Sequence, residues 1–453
     1  MSLLVEHLLL VATVLPMLGA AVAALVPRPA VRWVGLGFSG AGVLAALLVA
    51  VLPRLGLALG SPVLSLNVGK VDLSLRLSGG VVGVGLCIVP AVAALSAMFL
   101  DWQHGPARRR EVTLPLLLNS AAMLVVLGAS PVTVLAGLVL SSAGCVLVMK
   151  GSRDDPAATV LSATHGVSSA LLLVVVASML GDSEGLSART TTLLVVLATL
   201  LRLGFPPFHG AVSACAGASS AAVRLLLGMV GGTTSGAVLL RLMPEGVVLP
   251  IGWALVGASG MVFGAFVAMG AHSLRHVAVG LHVALASLVL CGATLHDATP
   301  NDAGATVAAV LALSVAPTAI LLLGRAIERR LGSDAFVSLG GLSQSMPSAL
   351  MLMIGSAGVA ALLPGTSGFV SLLLVLVRAS GLGGVSGWTI VVLLAVAFVL
   401  LTAASTRLVR RTFFGPLDAG SVAPSELRWW ESVAVVPVLL LALLGGVAPM
   451  MFF

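Results

Sequence analysis

Acidic side chains are few in this sequence. The 16 aspartates and glutamates among 453 residues all fall in loops or at the ends of apolar segments. About fourteen long apolar stretches run without one at mid-length, where a carboxylate in lipid would be costly and usually functional. Cysteine is as sparse: Cys87, Cys145, Cys215 and Cys291 stand singly in apolar surroundings without ligand spacing. That excludes a disulfide framework, a zinc site and an iron–sulfur cluster, and leaves small core residues. Tyrosine is absent, lysine occurs only at Lys70 and Lys150, and asparagine is scarce, the usage of a GC-rich gene in either a bacterium or a mitochondrion. No catalytic triad, glycosidase carboxylate pair or metal cluster can be assembled. The net charge of +7 comes from only 23 basic residues spread over loops. Such a spread sets membrane topology and argues against a nucleic-acid surface.

What is present is apolar length. The chain is 59% hydrophobic with a mean hydropathy of +1.17, and runs of roughly twenty apolar residues match the ~30 Å hydrocarbon core of a bilayer. The fold class is an all-α polytopic membrane protein. Spans are expected near 3–26, 31–52, 80–100, 112–129, 131–149, 157–181, 188–205, 219–242, 248–270, 274–294, 303–326, 346–379, 386–408 and 431–452. The first carries Glu6 and no basic start, which reads as a retained span and not a cleaved signal. Spans and short loops use up the length, so a soluble catalytic domain and a cofactor are not expected, and any redox chemistry sits on other chains.

Basic residues gather in every second connection: Arg28 and Arg32; Arg108, Arg109 and Arg110; Lys150 and Arg153; Arg275; Arg329 and Arg330; Arg407, Arg410 and Arg411. By the positive-inside rule these connections face the cytoplasm or the matrix, so both termini lie on the other side and the span count is even. The stretch from Arg54 to Ser78, with Leu73, Leu75 and Leu77 alternating with polar neighbours, reads as an outer loop containing a short hairpin. Two spans carry breaks at comparable places: Pro206 and Pro207 follow the seventh, and Pro364 with Gly365 interrupts the twelfth. Proline frees carbonyls that a transporter can turn toward water or an ion, and paired breaks point to inverted repeats with a mid-membrane site; ordinary kinks are the alternative. Gly228, Gly231, Gly232 and Gly236 lack the lysine of a phosphate loop and read as close helix packing.

The stretch RLGFPPFH from Arg202 to His209 resembles the K-x-x-x-x-P-x-H signature of the antiporter-like subunits of respiratory complex I and of Mrp antiporters, with arginine in the lysine's place. LGGLSQSMP from Leu339 to Pro347 and LPGTSGFV from Leu363 to Val370 are closer to subunit 4 of complex I than to its subunits 2 and 5. RTFFGPL from Arg411 to Leu417 and ELRWWE from Glu426 to Glu431 resemble the family's basic connection and the start of its last span. The resemblance implies two inverted five-helix repeats with broken helices seven and twelve. It divides the chain into residues 1–111 (helices one to three), 112–242 (first half), 248–409 (second half) and 410–453 (connection and last helix). It also implies a place in an energy-transducing membrane beside subunits 2 and 5, with quinone met only through the whole complex and lipids as the remaining partner.

Its proton route would use a glutamate in span five, lysines in spans seven and eight, and a lysine or glutamate in span twelve. The span-five position falls around Leu138 to Leu140, the span-eight position around Gly232 or Thr233, and the span-twelve position at Leu372, none of which titrates. Arg202 alone keeps a charge. A relay needs a group that can release its proton near neutral pH, and arginine, with a pKa above ~12, stays charged, so Arg202 reads as a structural or hydration-holding cation. His165 and His282 are the titratable candidates within spans, each of which also reads as an interhelical hydrogen-bonded contact. His276 reads as interfacial. His209 is expected at the break, paired with freed carbonyls, and Arg224 either snorkels or faces a central cavity.

The expectation is therefore the subunit-4 position of a proton-pumping NADH:quinone oxidoreductase, with translocation through this module reduced or lost. The alternative is a subunit of an Mrp-type cation/proton antiporter or ion-coupled uptake complex without redox partners. A self-sufficient transporter would need an intramembrane substrate site that the sequence does not supply.

Overall fold

A computed structural model describes residues 2–64, 67–68, 71–72, 74–100, 109–151, 155–180, 186–218, 220–244, 247–295, 303–415 and 424–449. Arg108, Arg153, Leu73 and the Pro416–Leu417 end of RTFFGPL lie outside them. The chain begins with helices α1 (Ser2–Leu25) and α2 (Arg28–Val51). The expected hairpin follows, as β1 (Val63–Leu64) pairs antiparallel with β4 (Leu75–Arg76) and β2 (Asn67–Val68) with β3 (Val71–Asp72). The third span is two nearly continuous helices, α3 (Val81–Leu86) and α4 (Ile88–Leu100).

The next five elements are α5 (Arg109–Leu127), α6 (Pro131–Gly151), α7 (Asp155–Leu180), the pair α8 (Ala188–Leu203) and α9 (Gly210–Ala216), and α10 (Ala221–Leu242). A second set follows: α11 (Gly252–Gly270), α12 (Leu274–Thr294), α13 (Gly304–Leu331), the pair α14 (Pro347–Ala360) and α15 (Ser367–Gly381), and α16 (Gly384–Phe413). α17 (Trp429–Val447) closes the chain. Hydroxyl side chains mark where helices restart. Ser187, Ser220, Ser273 and Thr366 each accept a backbone N–H of the first turn of α8, α10, α12 and α15. A cap of this kind satisfies a donor that lipid cannot.

Among the described residues, twelve helices are long and apolar enough to cross a membrane, fewer than the fourteen spans expected. The two spans missing from that count are the seventh and twelfth, where the prolines stand. Each is divided into two shorter helices, since proline cannot continue the ladder. The short helix α9 beyond the first break was not anticipated; the sequence reading ended the seventh span at the prolines.

Packing repeats between the two sets. α5 packs on α6 and α10 as α11 packs on α12 and α16, and α7 touches both pieces of its broken pair as α13 touches both pieces of the other. The sets meet where α10 lies against α13. An added Cβ at Gly228 or Gly236 would overlap Thr318 or Val310 of α13, and one at Gly232 would lie 3.0 Å from Ser314 Oγ. This is the close approach the glycine spacing implies. α12 and α13 are buried along nearly their whole length, whereas α7 and α16 leave most of theirs uncovered by the rest of the chain.

Candidate functional site: a cavity at the first helix break

α8 ends at Gly204, whose left-handed φ of 66° only glycine adopts freely. Its N–H and that of Phe205 both turn back to the Leu200 carbonyl, and Phe208 N–H closes on Phe205 O at 2.7 Å, so most of the break's backbone is satisfied internally. The Leu203 carbonyl points elsewhere, 3.0 Å from His282 Nε2 on α12. A carbonyl can only accept, so the histidine proton lies on Nε2. The freed carbonyl expected to meet His209 is thus taken by His282, which is an interhelical contact. His209 sits instead at the start of α9, its ring edge-on to Phe263 at 6.1 Å and its Nδ1 without a partner.

Arg202, in the last turn of α8, is 7% exposed and donates from Nη1 to Ser142 Oγ on α6 at 2.8 Å. Its Nε has no partner, and no carboxylate pairs with it among the described residues. Of the residues around the expected span-five position, Leu138 is buried and its carbonyl accepts from Ser142 Oγ at 2.6 Å. Val139 and Leu140 are 48% and 56% exposed and face out of the bundle. The span-five residue that meets Arg202 is Ser142, one turn further on, and it is neutral.

Arg224 faces inward; it does not snorkel. It is 3% exposed, donates from Nε to the Ala218 carbonyl at 2.7 Å, and pairs through Nη2 with Glu328 Oε2 at 3.3 Å. Glu328, at the end of α13, also holds Arg325 Nη1 at 3.0 Å, one helical turn away. Close by, the carboxylate of Asp334 accepts the backbone N–H of Arg275 at 3.2 Å and lies 3.7 Å from its Nε. Sequence reasoning missed Glu328. The signal was present as an i, i+3 Arg–Glu step facing an otherwise unpaired Arg224.

Arg202, Arg224, His165 and His282 line one cavity of about 50 Å³, joined by Cys145 and Thr318. Four of the five proton-path candidates are therefore gathered at one place, with His209 outside. His165 is 6% exposed and its Nδ1 has no partner. Such a volume accommodates water, since ~10–15 Å³ suffices for one molecule.

The second break holds no comparable set. Leu362 takes a left-handed φ of 55° and Gly365 one of 88°, while Leu363 N–H and Ala361 N–H recapture carbonyls of α14. A fully buried leucine in that region is strained, by about 1 kcal/mol. Gly446 of α17 covers the turn at Gly365 and Thr366 so closely that any side chain would overlap it. Leu372 is buried, and its neighbours Ser367 and Ser371 have unpartnered hydroxyls. At the span-eight position Thr233 donates to Met229 O at 2.6 Å and lies 3.2 Å from Ser314 Oγ.

Helices, breaks and burial together define a multi-pass membrane protein of the antiporter-like fold. Residues 184–402 match the family described as NADH:quinone oxidoreductase/Mrp antiporter, transmembrane. Over 198 residues the chain is 30% identical to NAD(P)H-quinone oxidoreductase chain 4 1 of Synechococcus sp. (strain JA-3-3Ab). That match spans 42% of this chain and 37% of the relative, about a third of its length. Among solved structures, a chain of respiratory complex I from Thermus thermophilus aligns with a TM-score of 0.77 at 19% identity, covering 98% of this chain and 96% of the other. A chain of the archaeal membrane-bound sulfane sulfur reductase aligns at 0.79 and 19% identity, covering 97% and 76%. One of the Mrp complex from Dietzia sp. DQ12-45-1b aligns at 0.78 and 18% identity, covering 98% and 50%. The resemblance to antiporter-like subunits of complex I and Mrp antiporters stands on these findings.

Proposed function

We propose that this chain is the subunit-4-type antiporter-like module of a proton-translocating NADH:quinone oxidoreductase, and that proton passage through the module itself is reduced or lost. The observation that carries the second part is the pairing of Arg202 with Ser142. Where a relay would set a titratable cation against a carboxylate, this chain sets a permanently charged guanidinium against a hydroxyl. Leu372 and Thr233 add no proton carrier at the other two positions. On this reading residues 112–242 and 248–409 are the two inverted halves and residues 1–111 and 410–453 flank them. Arg202, Arg224, His165 and His282 then line a hydrated pocket that no longer relays, and subunits resembling 2 and 5 flank the chain in an energy-transducing membrane. Its contribution is architectural: a rigid bundle filling one position of a membrane arm.

Mass spectrometry of the native particle, extracted in mild detergent, tests the assignment. Flavin and iron–sulfur subunits of a quinone reductase should co-purify. Recovery as a monomer or homodimer would sink it. The second reading, an Mrp-type or related redox-free complex, is favoured by the equally close structural likeness to the Mrp and sulfane sulfur reductase chains. It would be supported by co-purifying antiporter subunits with no flavoprotein.

A further inference from the structure

The charges around the cavity do not balance. Arg224 is answered by Glu328, which Arg325 also holds from the rim, whereas Arg202 is answered by a neutral hydroxyl. The remaining titratable groups facing the space are His165, His282 and the thiols of Cys145 and Cys215. His282 is committed to the Leu203 carbonyl. Two buried donors are left over in one small cavity, Arg202 Nε and, in the tautomer that carries its proton there, His165 Nδ1. Desolvating a guanidinium without a counter-charge is among the costlier arrangements in a membrane interior. The other walls are small or apolar, with Leu161, Leu227, Ala278 and Val279 among them, and an added Cβ at Gly231 would meet nothing within 4 Å.

We propose that this cavity is a binding site for one small monovalent anion of chloride size, held between Arg202 and His165. The anion supplies the charge that the missing span-five carboxylate does not, and the apolar walls disfavour larger or doubly charged anions, whose hydration they cannot replace. At ~10–15 Å³ for a water, the ~50 Å³ volume has room for one small anion beside a few waters. The site does not depend on whether the chain serves a quinone reductase or an antiporter.

The test is equilibrium binding of radiolabelled chloride to the complex containing this chain, purified in mild detergent, with bromide as competitor. Arg202→Gln is expected to lower the saturable chloride stoichiometry by one per complex, and His165→Ala to weaken that same site by about tenfold, the worth of one hydrogen bond to a charge. Crystals of the wild-type complex soaked in bromide should show one anomalous peak beside Arg202, which decides the matter even if Arg202→Gln fails to assemble. Unchanged stoichiometry in an assembled Arg202→Gln complex overturns the proposal. So do bromide peaks confined to surface arginines such as Arg410.

Discussion

A buried cation in this protein is handled in two ways, and the contrast between Arg224 and Arg202 shows what each requires. Arg224 has its own carboxylate, so removing that carboxylate leaves the guanidinium buried and unpaired. Glu328→Gln is expected to destabilise the chain by on the order of 2 kcal/mol, below the range for fully enclosed pairs because Glu328 keeps 22% side-chain exposure. Thermal unfolding in detergent checks it, and Arg224→Met combined with Glu328→Leu should recover most of the loss, since the pair is worth far less than its halves are costly. Arg202 and its lysine-like place were legible in the sequence, because RLGFPPFH puts the charge one turn before the prolines. Its partner was not. Separating the buried face of Leu138 and Ser142 from the outward Val139 and Leu140 depends on the rotation of α6 about its own axis, and a helix apolar on all sides carries no periodicity that reveals it. His282 was read as either a carrier or a contact for a similar reason: its partner, the Leu203 carbonyl, is a backbone group that no motif announces.

At the scale of elements, helix existence and order were legible because apolar length is a direct consequence of bilayer thickness. The broken helices were legible as breaks, through Pro206, Pro207, Pro364 and Gly365, but not as pairs of helices. The seven-residue α9 is too short for hydropathy to separate from a loop. The glycine spacing on α10 gave the packing correctly for three of its four positions. Gly228, Gly232 and Gly236 recur every fourth residue and seat Thr318, Ser314 and Val310, while Gly231 lies off that row and faces the cavity. Gly236→Leu should therefore force α10 from α13 and cost 1–3 kcal/mol or more, about the cost of overpacking a core. Gly231→Ala should leave stability unchanged or slightly raised, as alanine favours the helix. Unfolding temperatures of the two variants, compared in the same detergent, distinguish a packing row from a general need for small residues. Equal losses at both positions would refute the division.

For the whole molecule, the proposed topology follows from where its arginines lie. Arg109, Arg275, Arg330 and Arg410 all stand at helix ends in every second connection, and of the connections between them only the one from α2 to α3 is also basic, with Arg54, Lys70 and Arg76 against Asp72. A cysteine introduced at Ser2 and one at Arg109 should be labelled from opposite sides of the membrane; labelling from the same side would refute the arrangement. The same orientation places Arg202, His165, Arg224 and Glu328 toward the basic face and leaves the second break, with Leu372 and the serines beside it, without any titratable group among the described residues. A proton entering the cavity would meet a fixed cation and then find no carrier beyond it. Any surviving route would have to run through water held by hydroxyls and by His165 or His282, since histidine is the side chain within these spans that can exchange protons near neutral pH. Replacing both histidines with glutamine, in a complex that still assembles and transfers electrons normally, is expected to leave the proton-to-electron stoichiometry of the whole complex unchanged. Glutamine keeps a hydrogen-bond donor for the Leu203 carbonyl but cannot carry a proton. A stoichiometry lowered in that double variant at normal electron transfer would mean that the module pumps by a histidine route, and that the Arg202–Ser142 pair does not close it.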